Sequence, residues 1–524
     1  MRLYRSFATV GGLTMISRLL GFARDILIAA ALGTGAVADA FFVAFRFPNL
    51  FRRLFGEGAF NAAFVPLFAK KLEGEGREAA RGFAEDAMAG LAFVLLVLSA
   101  ACMLAMPWLM LLLAPGFAET PEKYDLAVLL TQITFPYLLC MCLVALISGV
   151  LNSLHKFWVA AATPILLNVV LTLVVALAML AGTSGKPQAG MILALGVLVA
   201  GLVQLAAVWI AMHRSGLHLR LRRPRLTPDI RRLVGLGLPG LVSGGITQIN
   251  IMVGTIIASL QAGAVSYLYY ADRLYQLPLG IVGVAVGVVL LPDLARRLRA
   301  GDEAAVMDSQ NRSLEFALML TLPAAVALAV AAEPIVRVLF ERGAFRASDT
   351  EATALALAAF SWGLPAFVLQ KVFQPGFFAR EDTRTPMRYA MINMAVNTAG
   401  AIGLFYLFQA LGWRPYLGIA VATSLAGWLN AIMLWATLVR RGHFKSDPRL
   451  RRVLPLVALA SLVMGGVLWV VAGQLAPWLE DHGALWVRVS ALAALVSAGM
   501  LAYGLLIQLT GAVDVRKIGS VRRR

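Results

Sequence analysis

Apolar runs of membrane-spanning size recur along this chain from Leu13 to Leu509, with only short polar interruptions between them. A spanning helix needs about 20 mostly apolar residues, and the stretches 91–113, 165–180 and 454–471 are solid, without the period-two alternation of an outer-membrane barrel. In hydrocarbon, backbone amides must be satisfied inside the segment itself, which leaves helices. Only 14% of the 524 residues are charged and 60% are hydrophobic, whereas a soluble domain carries about 25% charged residues. The expectation is an all-α polytopic membrane protein, which excludes soluble enzyme folds and a sizeable aqueous domain.

Cutting at the polar interruptions gives about 14 spans, near 8–33, 36–56, 86–114, 126–151, 158–182, 188–212, 233–261, 264–294, 313–339, 352–379, 386–411, 416–439, 453–476 and 485–510. Arg2 and Arg5 precede the first, but Arg18, Arg24 and Asp25 interrupt it, so it reads as a retained helix and not a signal peptide. Loop charge tests the count. With both termini cytoplasmic, one side collects Arg52, Arg53, Lys70, Lys71, Arg77, Arg81, Lys156 and the basic stretches within 214–232, 296–312, 380–388, 440–452 and 516–524. The other side holds only Lys123, Lys186, Arg337, Arg342, Arg346, Arg414 and Arg488. This is the positive-inside bias, and it accounts for the net charge of +18 without any nucleic-acid partner. Cys102, Cys140 and Cys142 lie in apolar runs and imply no disulfide framework or metal site.

An internal repeat of about 228 residues is visible. Gly35-Ala36-Val37, an aromatic run, Arg46, Val65-Pro66 and Lys70-Lys71 are echoed by Gly263-Ala264-Val265, a second aromatic run, Arg273, Leu291-Pro292 and Arg296-Arg297. Gly116-Phe117 matches Ala344-Phe345, and Thr163-Pro164 with Asn168 matches Thr385-Pro386 with Asn393. Six spans per repeat is even, so the two lobes run parallel, as in some secondary transporters. The expected organisation is an N-lobe over 1–213, a basic connector at 214–232, a C-lobe over 233–445, and two extra helices with a basic tail over 446–524.

Charges inside spans are costly and usually face an interior or serve a function. Arg18, Arg24, Asp25, Asp39, Arg46, Asp272, Arg273 and Lys371 qualify, with Arg52, Arg53 and Glu57 at the end of the second span. Asp39, Arg46 and Arg53 share a stripe at seven-residue spacing, as do Arg18 and Asp25, while Arg24 is turned about 120° away. In the eighth span Ser266, Tyr269, Arg273 and Gln276 share a face; in the seventh, Ser243, Thr247, Asn250 and Gly254; the tenth adds Lys371 and Gln374. The bland readings are that Arg52 and Arg53 are positive-inside anchors, and that Asp39 with Arg46, or Asp272 with Arg273, are structural pairs. The excess of basic groups at membrane depth is what those readings leave over, and it calls for an anion. Arg suits bidentate contact with phosphate, so a water-filled cationic cavity is expected. Enzymatic chemistry finds no support: His155, His213, His218, His443 and His482 sit in loops or at helix ends without metal spacing, and no phosphate-binding loop is present. No cofactor is expected.

The motifs from Arg18-Leu-Leu-Gly-Phe-Ala-Arg24-Asp25 through Ala38-Asp39-Ala-Phe and Phe47-Pro48-Asn49-Leu50-Phe51-Arg52-Arg53-Leu54-Phe55-Gly56-Glu57-Gly58-Ala59-Phe60 resemble the MurJ/MviN family of bacterial lipid II flippases. Ala271-Asp272-Arg273-Leu274 and Phe378-Ala379-Arg380 with Thr385-Pro386 fit the same family. The resemblance covers essentially the whole chain. It implies the multidrug/oligosaccharidyl-lipid/polysaccharide exporter fold, two six-helix lobes around a V-shaped cavity, and a multi-pass protein of the bacterial inner membrane. It also implies a cargo, lipid II, the undecaprenyl-diphosphate-linked peptidoglycan precursor, carried to the outer leaflet by alternating access, with cell-wall synthesis machinery as a candidate partner. Carried over by position, Arg18, Arg24, Asp25, Asp39, Arg52 and Arg273, with Lys371, are headgroup and gating residues; together with the charges read in the spans this makes Arg18, Arg24, Arg52, Arg273 and Lys371 substrate-binding candidates, and Asp25, Asp39, Arg46, Arg53, Glu57, Asp272 and Gln276 gating or charge-pairing candidates. Ser243, Thr247, Asn393 and Asn397 are the candidate ion-site residues, but no acid accompanies them in the seventh span, and Gln276 stands where the family often has one. Moving a diphosphate outward is downhill by about 2.3 kcal/mol per charge per 100 mV, so drive by the potential is expected over sodium coupling. The rival readings are a flippase for another polyprenyl-linked glycan, a cation-coupled drug exporter, which would want an acidic cavity, and a membrane-embedded enzyme or cell-wall assembly scaffold.

Overall fold

The computed structural model describes residues 2–53, 59–480 and 484–511; within these, side chains are described except at 2–8, 59–60, 62, 239–247, 249–250 and 284–289. The described residues form helices and connecting turns, with no strand among them. Two compact units divide the chain, Met1–Ser266 with Arg342–Phe345, and Tyr267–Glu341 with Arg346–Arg524.

The first unit contains α1 (Arg2–Leu32), α2 (Ala36–Arg52), α3 (Ala59–Gly74), α4 (Arg77–Leu104), α5 (Met106–Leu113), a 3₁₀ turn (Pro115–Glu119), α6 (Pro121–Thr134), α7 (Tyr137–Ser153), α8 (Phe157–Leu180), α9 (Pro187–His213) and α10 (Pro228–Ser259). The second holds α11 (Ala264–Arg299) from Tyr267 onward, then α12 (Glu303–Val330), α13 (Ala332–Phe340), α14 (Ala347–Ser361), α15 (Leu364–Phe378), α16 (Arg384–Ala410), α17 (Tyr416–Arg440), α18 (Pro448–Leu479) and α19 (Leu485–Leu509). Each of the fourteen expected spans is met by a helix or by two in succession. The third, fourth, ninth and tenth are broken, at Ala105, Phe135–Pro136, Ala331 and Trp362–Gly363. Proline in the first turn after three of these breaks, at 107, 334 and 365, needs no N–H partner there.

Among the described residues, ten helical segments are long and apolar enough to cross a membrane; α1, α2, α10 and α11, which cover the first, second, seventh and eighth spans, are not among them. For α1 the cause is the charge it carries, Arg18, Arg24 and Asp25, and for α2 it is a length of only 17 residues. Where helices start outside the apolar runs, side chains cap them. Thr227, Asp302 and Asp447 accept hydrogen bonds from Ile230, Ala305 and Leu450 N–H respectively, and Pro follows immediately at 228 and 448.

The repeat reappears as paired starts: α2 and α11 each begin one residue after a glycine, Gly35 and Gly263. In the first unit two turns from different repeats also close reciprocally. The Gly116 N–H donates to Ser259 Oγ at the end of α10 (3.2 Å), and the Ala344 N–H donates to Ala30 O near the end of α1 (2.8 Å). Neither approach leaves room for a side chain: a Cβ on Gly116 would lie 2.2 Å from Ser259 O, and one on Gly343, at φ +61°, 2.3 Å from Ala30 O.

Packing places α10 with the first unit, so the unit boundary follows Ser266, whereas the repeat boundary lies at the 214–232 connector. Leu217 and Leu219 of that connector are buried among Phe64, Phe68 and Phe83. Glu85, fully buried on α4, accepts the Arg220 N–H (2.9 Å) and pairs with Arg222 (2.6 Å) and Arg81 (3.0 Å). Asp229, in the first turn of α10, pairs with Lys71 of α3 at 2.9 Å. In the second unit, Phe373, Phe377, Leu434 and Leu438 centre one core. The α18–α19 pair docks on α12 through Val457, Ala460 and Ile507, with Tyr503 Oη donating to Met319 O (2.6 Å).

Candidate functional site

Asp39 lies in the first turn of α2, where a carboxylate is favoured by the helix dipole. It is fully buried. Its Oδ2 accepts from Lys123 Nζ (2.7 Å) and the Gly263 N–H (2.9 Å), and its Oδ1 from the Ser266 N–H (3.0 Å) and Ser266 Oγ (2.6 Å). The carboxylate therefore caps the start of α11 as well as sitting at the start of α2, and satisfies N–H groups that would otherwise be orphaned. Lys123, also buried, stands 4.0 Å over the Phe117 ring. The cross-helix partner of Asp39 is thus Lys123, and Arg46 instead donates to Thr255 of α10 at 2.8 Å.

Arg24 and Asp25 form the second cluster, at 5% and 2% exposure. Arg24 Nε (3.1 Å) and Nη2 (2.7 Å) both donate to Asp25 Oδ1, and Nη1 donates to Asn168 Oδ1 of α8 (2.9 Å). Asn168 Nδ2 in turn donates to Ser17 O (2.8 Å). Gly21 admits this approach, since a Cβ there would be 3.3 Å from Asn168 Nδ2. The seven-residue spacing of Arg18 and Asp25 did not disclose the Arg24–Asp25 contact. The long Arg24 side chain swings around the helix to its neighbour, and Arg18 is exposed.

The remaining candidates are distributed as follows. Arg52 Nε donates to Asn49 Oδ1 one turn back (2.6 Å), and Arg53 is exposed. Arg273 stacks its guanidinium 4.7 Å from the Tyr269 ring centre and donates to Tyr269 Oη at 2.9 Å. Asp272 accepts from the exposed Gln276 amide one turn on. Lys371 is exposed on α15, close to Gly283. Asn393 and Asn397 stand one turn apart on α16, and the buried Asn393 Oδ1 has no hydrogen-bond partner among the described residues. Glu57 lies outside the described residues, as do the side chains of Ser243 and Thr247. Lys123, Asn168 and Thr255 complete the observed clusters without having been chosen as candidates from sequence. Lys123 reads as an outer-loop charge, and only the repeat match at Asn168 gave any signal.

A many-helix membrane protein with ion pairs buried in its spans defines a class, the polytopic transporters. In fold the chain is similar to an inward-facing multidrug resistance MATE family transporter of the MOP superfamily, with a TM-score of 0.63 at 15% identity over 83% of this chain and 98% of that one. The family model for lipid II flippase MurJ matches residues 28–482, and the chain belongs to that family. Among relatives, it is 52% identical over 96% of its length to a probable lipid II flippase MurJ of Rhizobium meliloti, covering 93% of that protein. It is 50% identical over its full length to one of Rhizobium tropici, covering 96% of that protein. A solved structure of lipid II flippase MurJ in an inward closed conformation matches with a TM-score of 0.76 and 26% identity, over 95% of this chain and 98% of that one. The chain is a multi-pass membrane protein of a transporter family.

Proposed function

We propose that this protein flips lipid II from the inner to the outer leaflet of the bacterial inner membrane by alternating access, with both termini cytoplasmic. The observation that carries the reading is Arg24. A buried guanidinium oriented by Asp25 and Asn168 in the first span of a MurJ-family chain is the group that a diphosphate would draw away from Asp25. Arg18, Arg52, Arg273 and Lys371 are the further groups offered to the diphosphate, while Asp25, Asp39, Arg46, Arg53, Glu57, Asp272 and Gln276 pair charges or gate. The membrane potential supplies drive through the cargo's own charge. An ion bound among Ser243, Thr247, Asn393 and Asn397 would serve to reset the empty carrier. Cell-wall synthesis enzymes are the partners that would consume the product.

The test is leaflet-resolved accessibility of lipid II in cells depleted of this protein. Lipid II should become inaccessible to an externally added lipid II-cleaving enzyme, and the unaltered chain should restore access while Arg24→Ala should not. Continued outward delivery in the depleted cells, with no other flippase present, would overturn the reading.

A further inference from the structure

Arg488 belongs to α19, one of the two helices outside the internal repeat, and its side chain is buried. Its Nη2 donates to Arg337 O at 2.8 Å and its Nη1 to Glu341 O at 3.3 Å, with the Glu341 carboxylate 3.8 Å away. These carbonyls close α13, the end of a helix where unpaired C=O groups and the dipole favour a cation. Glu341 also accepts from Thr350 Oγ1 of α14 (2.7 Å), and Arg337 pairs with Glu480 at the end of α18 (2.9 Å). α13 is therefore tied at one end to α14, α18 and α19.

The residues that follow immediately, Arg342–Phe345, pack with the first unit. Ala344 donates to Ala30 O, Gly343 lies against the same carbonyl, Ala344 O presses on Gly33, and Phe345 is buried. This four-residue finger thus rests on the end of α1, the helix that carries Arg24 and Asp25. We infer that Arg488 is a positioning residue for transport. By holding the end of α13 to α19 it fixes the root of the finger. The transport role rests on the flippase reading; the mechanical link does not.

The experiment uses the full chain in lipid nanodiscs, where both faces meet the reagent, with Cys102, Cys140 and Cys142 replaced by Ala. Ala344→Cys reports the finger and Thr120→Cys, exposed on the matching segment of the first repeat, is the reference site. Arg488→Met should raise the rate of thiol labelling at Ala344→Cys about tenfold, because the buried tie is broken, and leave Thr120→Cys unchanged. Arg488→Lys, which keeps a charge but only one point of contact, should restore much of the protection. In cells Arg488→Met should impair lipid II delivery and Arg488→Lys should recover part of it. Unchanged labelling in Arg488→Met would overturn the link, as would an equal rise at both sites, which marks general loosening. Lost delivery with the finger still protected would overturn the transport role. If instead the finger loosens as expected and even the unaltered chain delivers no lipid II, the flippase reading fails and the link stands.

Discussion

Asp39 and Arg273 sit on α2 and α11, helices that the repeat makes equivalent, yet they are satisfied in different ways. Asp39 is sealed and draws its donors from α6 and from the start of α11. Arg273 is half-exposed and bonds Tyr269 on its own helix, as Arg52 bonds Asn49 on α2. A cross-segment ion pair fixes distances between elements, so those elements cannot part without exposing it. A partner one turn away fixes only a side-chain rotamer and travels with the helix. The first arrangement suits a lock and the second suits a presented ligand; Arg24 combines them, with one partner on its own helix and one on α8.

The strongest way to break this contrast is at Lys123. Lys123→Met leaves the Asp39 carboxylate buried without its counter-charge and should cost about 3–5 kcal/mol, read as a fall in unfolding temperature in detergent. Pairing it with Asp39→Asn should recover part of that loss, and additive losses would show that the two groups are not coupled. Next comes Arg24→Ala, which removes the counter-charge of the buried Asp25 carboxylate and should cost up to about 3–5 kcal/mol as well as flipping, with Arg24→Lys restoring only part of each. Arg273→Ala should change stability by no more than about 0.5 kcal/mol and still abolish lipid II delivery. A large stability loss there would erase the distinction between lock and ligand.

Two smaller effects sharpen it at the surface. In the turn between α15 and α16, the Thr385 hydroxyl, then Arg441 and the Thr385 N–H, hold the Asp382 carboxyl well below its ordinary value of 3.8. A depressed carboxylate stabilises the fold above that ordinary value, and the contribution fades as pH falls through the lower folded one. Asp382→Asn should therefore lower stability slightly at neutral pH and flatten its decline on acidification, as followed by unfolding temperature against pH. Arg299→Ala should be silent in stability and delivery, since the exposed Arg299 bonds, among the described residues, only the Ala295 carbonyl of its own turn.

The spans were legible because hydrocarbon demands apolar length, and α8, α9 and α16 to α19 follow the expected limits closely. The breaks within four spans were hidden because hydropathy is blind to backbone geometry. α3 was read as loop because Lys70, Lys71 and the charges after them mask its helix. At the site, sequence picked out the charged groups on α1, α2 and α11 by their cost in lipid, but not their partners. Asp39 and Lys123 are separated by 84 residues and Arg24 and Asn168 by 144, and no periodicity connects positions so distant. Helical spacing did not show the Arg24–Asp25 pairing, because an arginine is long enough to reach a carboxylate on the adjacent residue.

The buried Glu85 gives the linker between the repeats a short leash. Fastening Arg220 and Arg222 leaves only residues 223–227 as unsecured contour before α10 begins, which extends to about 17 Å at most. Whatever excursion α10 makes during a transport cycle is bounded by that length unless the Glu85 bonds tear, and its own first turn is moored a second time at Asp229.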